Sequence, residues 1–212
     1  MIITFSSLKG GTGKTSLSVH LAHAIALAKK RVLLADADPQ NSASDWAAAR
    51  DDKPPFPVIG MARNTLHRDL PELMKDYDHG IVDTPPRVSA LARSAILAAD
   101  LVLIPVQPSS YDVWAAAETV GLIDEARGFK PEIKAAFVIN RKVVNTAIGR
   151  EIEDALADYS IPTLKTAIAQ RIAFAEASSG YTVMEASPSS AASKEIKQLA
   201  KEVLKFMGIK SW

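Results

Sequence analysis

Ser6-Ser7-Leu8-Lys9-Gly10-Gly11-Thr12-Gly13-Lys14-Thr15-Ser16 lies between two runs of different periodicity, and its reading decides the fold. Ahead of it, Met1-Ile2-Ile3-Thr4-Phe5 is a short β-type run. Behind it, Leu17, Leu21, Ile25 and Ala28 recur at helical spacing. A Gly-rich loop between strand and helix is a phosphate cradle. Glycines let backbone N–H groups turn toward one anion, and the helix N-terminus adds a favourable partial charge. In such a loop Lys14 reaches the β- and γ-phosphates and the Thr15 hydroxyl sits on Mg²⁺.

The spacing departs from the pattern G-x-x-x-x-G-K-[ST], which has Gly where this chain has Leu8. A second lysine, Lys9, precedes the paired glycines instead. K-G-G-x-G-K-T, from Lys9 to Thr15, is the deviant Walker A pattern and resembles the ParA/MinD family of dimerising ATPases. The resemblance implies ATP and Mg²⁺ as cofactors. It implies a nucleotide-binding set of Lys9, Gly10, Gly11, Thr12, Gly13, Lys14, Thr15 and Ser16. It also implies an ATP-bound homodimer in which Lys9 reaches the partner's nucleotide.

Bulk composition sets limits. The chain has 212 residues, 48% hydrophobic and 23% charged, enough for one α/β domain with a sizeable core. One domain over residues 1–212 is expected. No apolar run approaches the roughly 20 residues that span a membrane, and the loop leaves no room for a secretory signal. With no cysteine there are no disulfides, thiolate metal sites or iron–sulfur clusters, and a cytoplasmic location is expected. The formal charge is +1, so any nucleic-acid binding requires a local patch.

Further along, Arg31-Val32-Leu33-Leu34-Ala35 reads as a buried parallel strand ending in Asp36-Ala37-Asp38-Pro39-Gln40. Ligands in open α/β sheets bind outside the carboxyl ends of strands, so these acids face the phosphate site. D-x-D-P-Q resembles the family's second signature, which implies that Asp38 positions or activates the attacking water and that Asp36 lies near the Mg²⁺ shell. Gly80-Ile81-Val82-Asp83-Thr84-Pro85-Pro86 is an apolar strand ending in Asp, the Walker B pattern, with Asp83 holding a Mg²⁺-bound water. Taken alone, such a run is commonly a capped turn. Leu101 to Val106 is another apolar strand. Asp112, near the start of a helix over Tyr111–Arg127, is either a site residue or a first-turn acid on the helix dipole. Ile133–Ile139 is a strand ending in Asn140-Arg141. In the family the residues after this strand meet the adenine base: an Asn amide can pair with the base edge and an Arg plane can stack on it.

Helices are expected over Ser42–Arg50, Leu66–Tyr77, Ala90–Ala99 and Ile148–Tyr159, with a short edge strand at Val58-Ile59 and a last strand beginning in 161–166. Ser187–Ser193 reads as a loop leading into a basic amphipathic helix, Lys194–Met207, with Ile196, Leu199, Val203 and Phe206 on one face and Lys194, Lys197, Lys201 and Lys205 on another. Docking of that helix on the sheet is favoured over membrane targeting. Strands alternating with helices mean a doubly wound, mostly parallel α/β sheet with helices on both faces.

The resemblance is nearest to short ParA proteins of the ParF-like type. Larger ParA proteins carry a DNA-binding domain ahead of the loop, and with the loop starting at Ser6 none is expected here. It implies a partition ATPase that binds DNA without sequence preference, is nucleoid-associated when ATP-bound, and works with a ParB-like centromere-binding partner. From Ser160 onward seven Lys/Arg (Lys165, Arg171, Lys194, Lys197, Lys201, Lys205, Lys210) face four Glu (Glu176, Glu185, Glu195, Glu202), a basic excess for such contacts. Arg141, Lys142 and Arg150 could join them. Two alternatives stay open: a MinD-like membrane regulator or positioner of a protein assembly, and a metabolic ligase on the same nucleotide fold.

Overall fold

In the computed structural model, which describes residues 1–87, 89–143 and 148–209, six parallel strands form one sheet: β1 (Ile2–Phe5), β2 (Val32–Asp36), β3 (Val58–Gly60), β4 (His79–Asp83), β5 (Leu101–Val106) and β6 (Lys134–Ile139). Their order is β3-β2-β4-β1-β5-β6. The helices are α1 (Lys14–Leu27), α2 (Ser42–Ala48), α3 (Leu66–Leu73), α4 (Ala90–Ala98), α5 (Ser110–Arg127), α6 (Ile148–Leu156), α7 (Ile172–Glu176), α8 (Val183–Ala186) and α9 (Ala191–Met207).

The inner strands are apolar on both faces because both faces are covered. Alternate side chains divide between two layers. Ile3, Phe5, Leu34, Leu101, Leu103, Ala136 and Val138 pack with Leu17, Leu21 and Ile25 of α1 and Ile196, Leu199 and Val203 of α9. On the other face, Val102, Ile104, Phe137 and Ile139 pack with α5 and α6, while Ile2, Leu33, Ala35 and Val82 pack with α3 and α4.

Register positions the acids. Phe5 pairs with Asp83, and Asp83 pairs with Asp36. The phosphate-type loop leaves β1 immediately after Phe5. Asp83 therefore emerges on β4, directly beside it, and Asp36 on β2, one strand further out, both at the carboxyl edge where ligands bind in such sheets.

Several expectations are corrected. The run 161–166 is not a strand. Phe137 donates to the Pro162 carbonyl and receives from Leu164, and a second bridge joins Lys142 to Ala169. Between them the N–H groups of Lys165 and Thr166 turn to the Glu202 carboxylate at 2.7 and 2.8 Å, which interrupts the ladder. The α-helical part of α3 stops at Leu73, with Pro71 inside it, and continues as a 3-10 turn over Met74–Asp76. The final helix starts earlier, at Ala191, because the Ser190 hydroxyl accepts from Ser193 N–H. Its apolar face is docked on α1, as the docking alternative requires. Among the described residues no helix is long and apolar enough to cross a membrane.

Candidate functional site

The loop after β1 is shaped by two glycines with positive φ, Gly11 at 76° and Gly13 at 94°. Gly13 caps α1 in a left-handed conformation, which glycine adopts at little cost. Three side chains hold the loop's carbonyls: Lys14 Nζ donates to the Lys9 carbonyl at 3.2 Å, Gln107 Nε2 to that of Gly11 at 2.6 Å, and Asn140 Nδ2 to that of Thr12 at 2.8 Å. Leu8 N–H donates to the Thr119 hydroxyl. With these carbonyls engaged, the first N–H groups of α1 remain without intrahelical partners, as at any helix start, and form an anion-binding concavity.

Lys14 is buried inside the loop. Burial lowers its pKa, opposed by the nearby charges of Asp83 and Asp38. Lys9 points elsewhere. Its Nζ forms a 2.6 Å ion pair with Asp112 Oδ2 at the start of α5, and its side chain keeps 38% of its exposure. Asp112 is buried, and the same Oδ2 accepts from the Ser109 hydroxyl at 2.9 Å, while Oδ1 has no hydrogen-bond partner. Asp112 is thus a first-turn acid and also the anchor of Lys9.

The three acids behave differently. Asp36 is fully buried and its oxygens are occupied: Oδ1 accepts from Asp38 N–H at 3.2 Å, and Oδ2 from Ser44 N–H and hydroxyl, both at 2.8 Å. That network ties Asp36 to the Asp38 loop and to the start of α2. Asp38 is buried, with one oxygen accepting from Gln40 N–H at 2.9 Å. Asp83 is fully buried and neither oxygen has a partner at hydrogen-bond geometry. Burial pushes its pKa up to about 7; the Thr15 hydroxyl and Lys14 oppose the rise, while Asp36 and Asp38 add to it.

An orphaned buried carboxylate beside a threonine hydroxyl fits a divalent cation. Among the described residues no group of three or more His, Cys, Asp or Glu is placed to hold a metal. One carboxylate, Asp83, with one hydroxyl, Thr15, suits Mg²⁺, which takes one or two protein oxygens and completes its shell with water and phosphate.

A cavity of about 440 Å³ adjoins the loop, lined by Gly13, Ser16 and Leu17 on one side, Asn140 and Arg141 on a second, and Gln170, Arg171, Phe174 and Ser178 on a third. Asn140 is buried, so its amide serves the loop as well as the cavity. Arg141 is exposed, with φ 53°. The cavity wall from 169–178 was not foreseen; neither was His20. That ring donates from Nδ1 to the Ser16 carbonyl at 2.6 Å and accepts Val183 N–H at Nε2, 3.1 Å away. Burial lowers its pKa to about 4, so it is a neutral strut between α1 and α8. A histidine at a helical position carries no sequence signal for such a role.

Arg171 is not a free cation: its guanidinium is paired to Glu195, with the shortest contact at 2.5 Å. Lys142 pairs with Glu153 at 3.4 Å. Lys210 and the Arg150 side chain lie outside the described residues.

Comparison with known proteins agrees with this geometry. The family model described as CobQ/CobB/MinD/ParA nucleotide binding domain matches residues 3–182. Maintenance of carboxysome distribution protein A of Halothiobacillus neapolitanus is 30% identical over 207 residues, with 95% of each chain covered. The chromosome-partitioning ATPase Soj of Thermus thermophilus is 28% identical over 235 residues, covering 95% of this chain and 94% of its own. Among solved structures, cobyrinic acid a,c-diamide synthase of Mycobacterium smegmatis with bound ADP and magnesium superposes with a TM-score of 0.79 at 19% identity, covering 99% of this chain and 97% of its own. At that identity the likeness is one of fold.

Proposed function

The chain belongs to the CobQ/CobB/MinD/ParA nucleotide-binding family, and from that premise we propose that it is an ATP-driven partition switch. It binds Mg-ATP, pairs face to face with a second copy, attaches to DNA without sequence preference, and is released when a ParB-like partner stimulates hydrolysis. The observation that carries this reading is the division of labour between two lysines: Lys14 buried in the cradle, Lys9 outside it on Asp112 with an exposed side chain. A lysine at the rim can reach a second subunit's phosphates once it exchanges Asp112 for them; one held inside cannot.

In this reading the loop amides and Lys14 bind the β- and γ-phosphates, and Thr15 and Asp83 would hold Mg²⁺, which would supply neutralisation of phosphate charge. Asp38, fixed by Asp36, orients the water that attacks the γ-phosphorus as ADP leaves. Lys9 and Lys14 offset the charge that grows on the transferring group. Asn140 and Arg141 border the cavity for the base.

DNA contact is supported by an open groove of about 900 Å³ beneath α9, bordered by Lys165, Lys194, Lys201 and Lys205. Its two acids are already engaged, Glu195 by Arg171 and Ala169 N–H, Glu202 by two backbone N–H groups. The lysines are left to an external polyanion. Arg171 is withdrawn from that set.

A second reading shares the switch and changes the cargo: a positioner of a protein assembly. It is favoured by the 30% identity to a protein named for carboxysome distribution. Membrane targeting by α9 is disfavoured because its apolar face is already buried on α1. The test is a titration of unrelated duplexes and of anionic vesicles with ATP, ADP and no nucleotide at several salt concentrations. ATP-dependent, salt-sensitive, sequence-blind DNA binding is expected. Equal binding in all nucleotide states, or binding to vesicles and not DNA, would refute the partition reading.

A further inference from the structure

Arg87 stands in the loop that leaves β4 after Asp83, and its φ is 91°. Two glycines share that region, Gly13 at 94° and Gly180 at 91°. The other non-glycine residues with positive φ, Lys29 at 61°, Asn41 at 55° and Arg141 at 53°, lie in the small left-handed basin that an L residue can occupy. Arg87 lies outside it, where a side chain costs stability that glycine would not. Strain of this kind persists only where the surroundings impose it, and it concentrates at functional sites.

Two bonds impose it here. The Thr84 hydroxyl donates to the Phe5 carbonyl at 2.8 Å, and Arg87 N–H donates to the Leu8 carbonyl at 3.0 Å. Pro85 and Pro86 lie between, and Pro86 borders Gly10 closely enough that a Cβ there would touch it at 4.0 Å. The strained turn thus brings residue 87 back onto the start of the phosphate loop.

The Arg87 side chain is exposed and has no hydrogen-bond or ion-pair partner among the described residues. The two lysines of the loop are both engaged, Lys9 by Asp112 and Lys14 by a carbonyl. An arginine offers a planar fork of donors that matches phosphate oxygens, which a lysine's point charge does not. A strained backbone that bonds the start of the phosphate loop carries an exposed arginine whose guanidinium is unpaired among the described residues, within a side chain's length of that loop.

We propose that Arg87 is a phosphate-binding residue of the nucleotide site, its guanidinium engaging the terminal phosphates of ATP held by its own subunit or by a paired one. The proposal rests on the nucleotide reading above. It does not require DNA or a partner protein.

The test uses the full chain with Arg87→Gly, Arg87→Ala and Arg87→Lys. Ligand-free melting, Mg-ATP affinity at concentrations where sedimentation finds a monomer, and turnover where it finds a dimer are measured for each. Arg87→Gly should melt at or above wild type, because glycine relieves the strain. It should nevertheless lose roughly tenfold or more in affinity or in turnover, the usual scale for a charge-assisted bond to phosphate. Arg87→Lys should recover part of that loss. Loss already present in the monomer assigns the contact to the subunit's own phosphates; loss confined to dimer turnover assigns it to the partner's. A Gly variant within twofold of wild type in both assays, or one that melts below it, would overturn the proposal. Wild-type protein that binds no Mg-ATP, with Lys14→Ala as the matching control, would instead overturn the nucleotide reading itself.

Discussion

Gly13→Ala should damage this protein more than the neighbouring Gly11→Ala, by an amount that can be worked out. Both glycines have positive φ, 94° and 76°, so each alanine carries a backbone cost of about 1–2 kcal/mol. At Gly11 nothing lies within 4 Å of an added Cβ. At Gly13 that Cβ would be 2.1 Å from Asn140 Nδ2 and 3.4 Å from its Cγ. The amide has to move away, which breaks its 2.8 Å bond to the Thr12 carbonyl. Losing a buried hydrogen bond and leaving the acceptor unpaired costs about 1–3 kcal/mol. Gly13→Ala should then cost about 3 kcal/mol, against about 1–2 for Gly11→Ala. At about 2–4 °C per kcal/mol for a domain of this size, the melting temperature should drop by about 6–12 °C. Urea denaturation followed by circular dichroism measures the difference, and a cycle with Asn140→Ala measures the coupling. Once the amide is gone, the extra cost of Gly13→Ala should shrink to that of Gly11→Ala. Equal costs for the two single variants, or strict additivity with Asn140→Ala, would refute the account of Asn140 as the wedge that requires glycine.

Asp83 gives a pH prediction. Its folded pKa, about 7, lies above the ordinary 3.8, so between those values the native state keeps a proton that the unfolded chain has lost. Ligand-free stability should therefore fall as pH rises through that window, by at most about 1.4 kcal/mol per unit. Asp83→Asn should flatten the slope, as denaturation near pH 5 and near pH 8 will show; an unchanged slope would place the titration elsewhere. Asp112→Asn removes the charge that anchors Lys9 and should lower the protein concentration needed for ATP-dependent pairing, read by sedimentation; the opposite shift would mean that the bridge belongs to the paired state. Asp38→Ala should slow ATP turnover while leaving the ATP-bound dimer intact, and wild-type turnover would move the water-orienting role to another acid. For DNA, Lys201→Ala with Lys205→Ala should weaken binding and flatten its salt dependence, because each phosphate contact adds about 0.9 to the salt slope; Arg171→Ala should act on stability first, through its Glu195 pair.

Much of this protein is local and was legible from the chain. The apolar runs of β2, β4 and β5, the turn-forming glycines and the helical repeat of α1 each depend on the period of nearby residues, so they fixed element type and the α/β class. The phosphate loop was legible for the same reason: its anion-binding groups belong to one continuous stretch of backbone. The acids could be placed too, because a strand's carboxyl end is where an α/β sheet binds ligand. What sequence could not supply is who touches whom at that edge. Asn140 bonds a carbonyl 128 positions away, Lys9 an aspartate 103 positions away, and Gln107 a carbonyl 96 positions away. Those pairs exist because the order β2-β4-β1-β5-β6 brings the carboxyl ends of five strands into one row. The same distance from sequence explains the misread segment at 161–166, whose strand propensity loses to a carboxylate on α9, and Arg171, whose charge is neutralised by Glu195 rather than offered to DNA. Backbone periodicity is set by neighbours in the chain. Side-chain pairing, burial and the shifted pKa of Asp83 are set by neighbours in space, and only the folded sheet determines which those are.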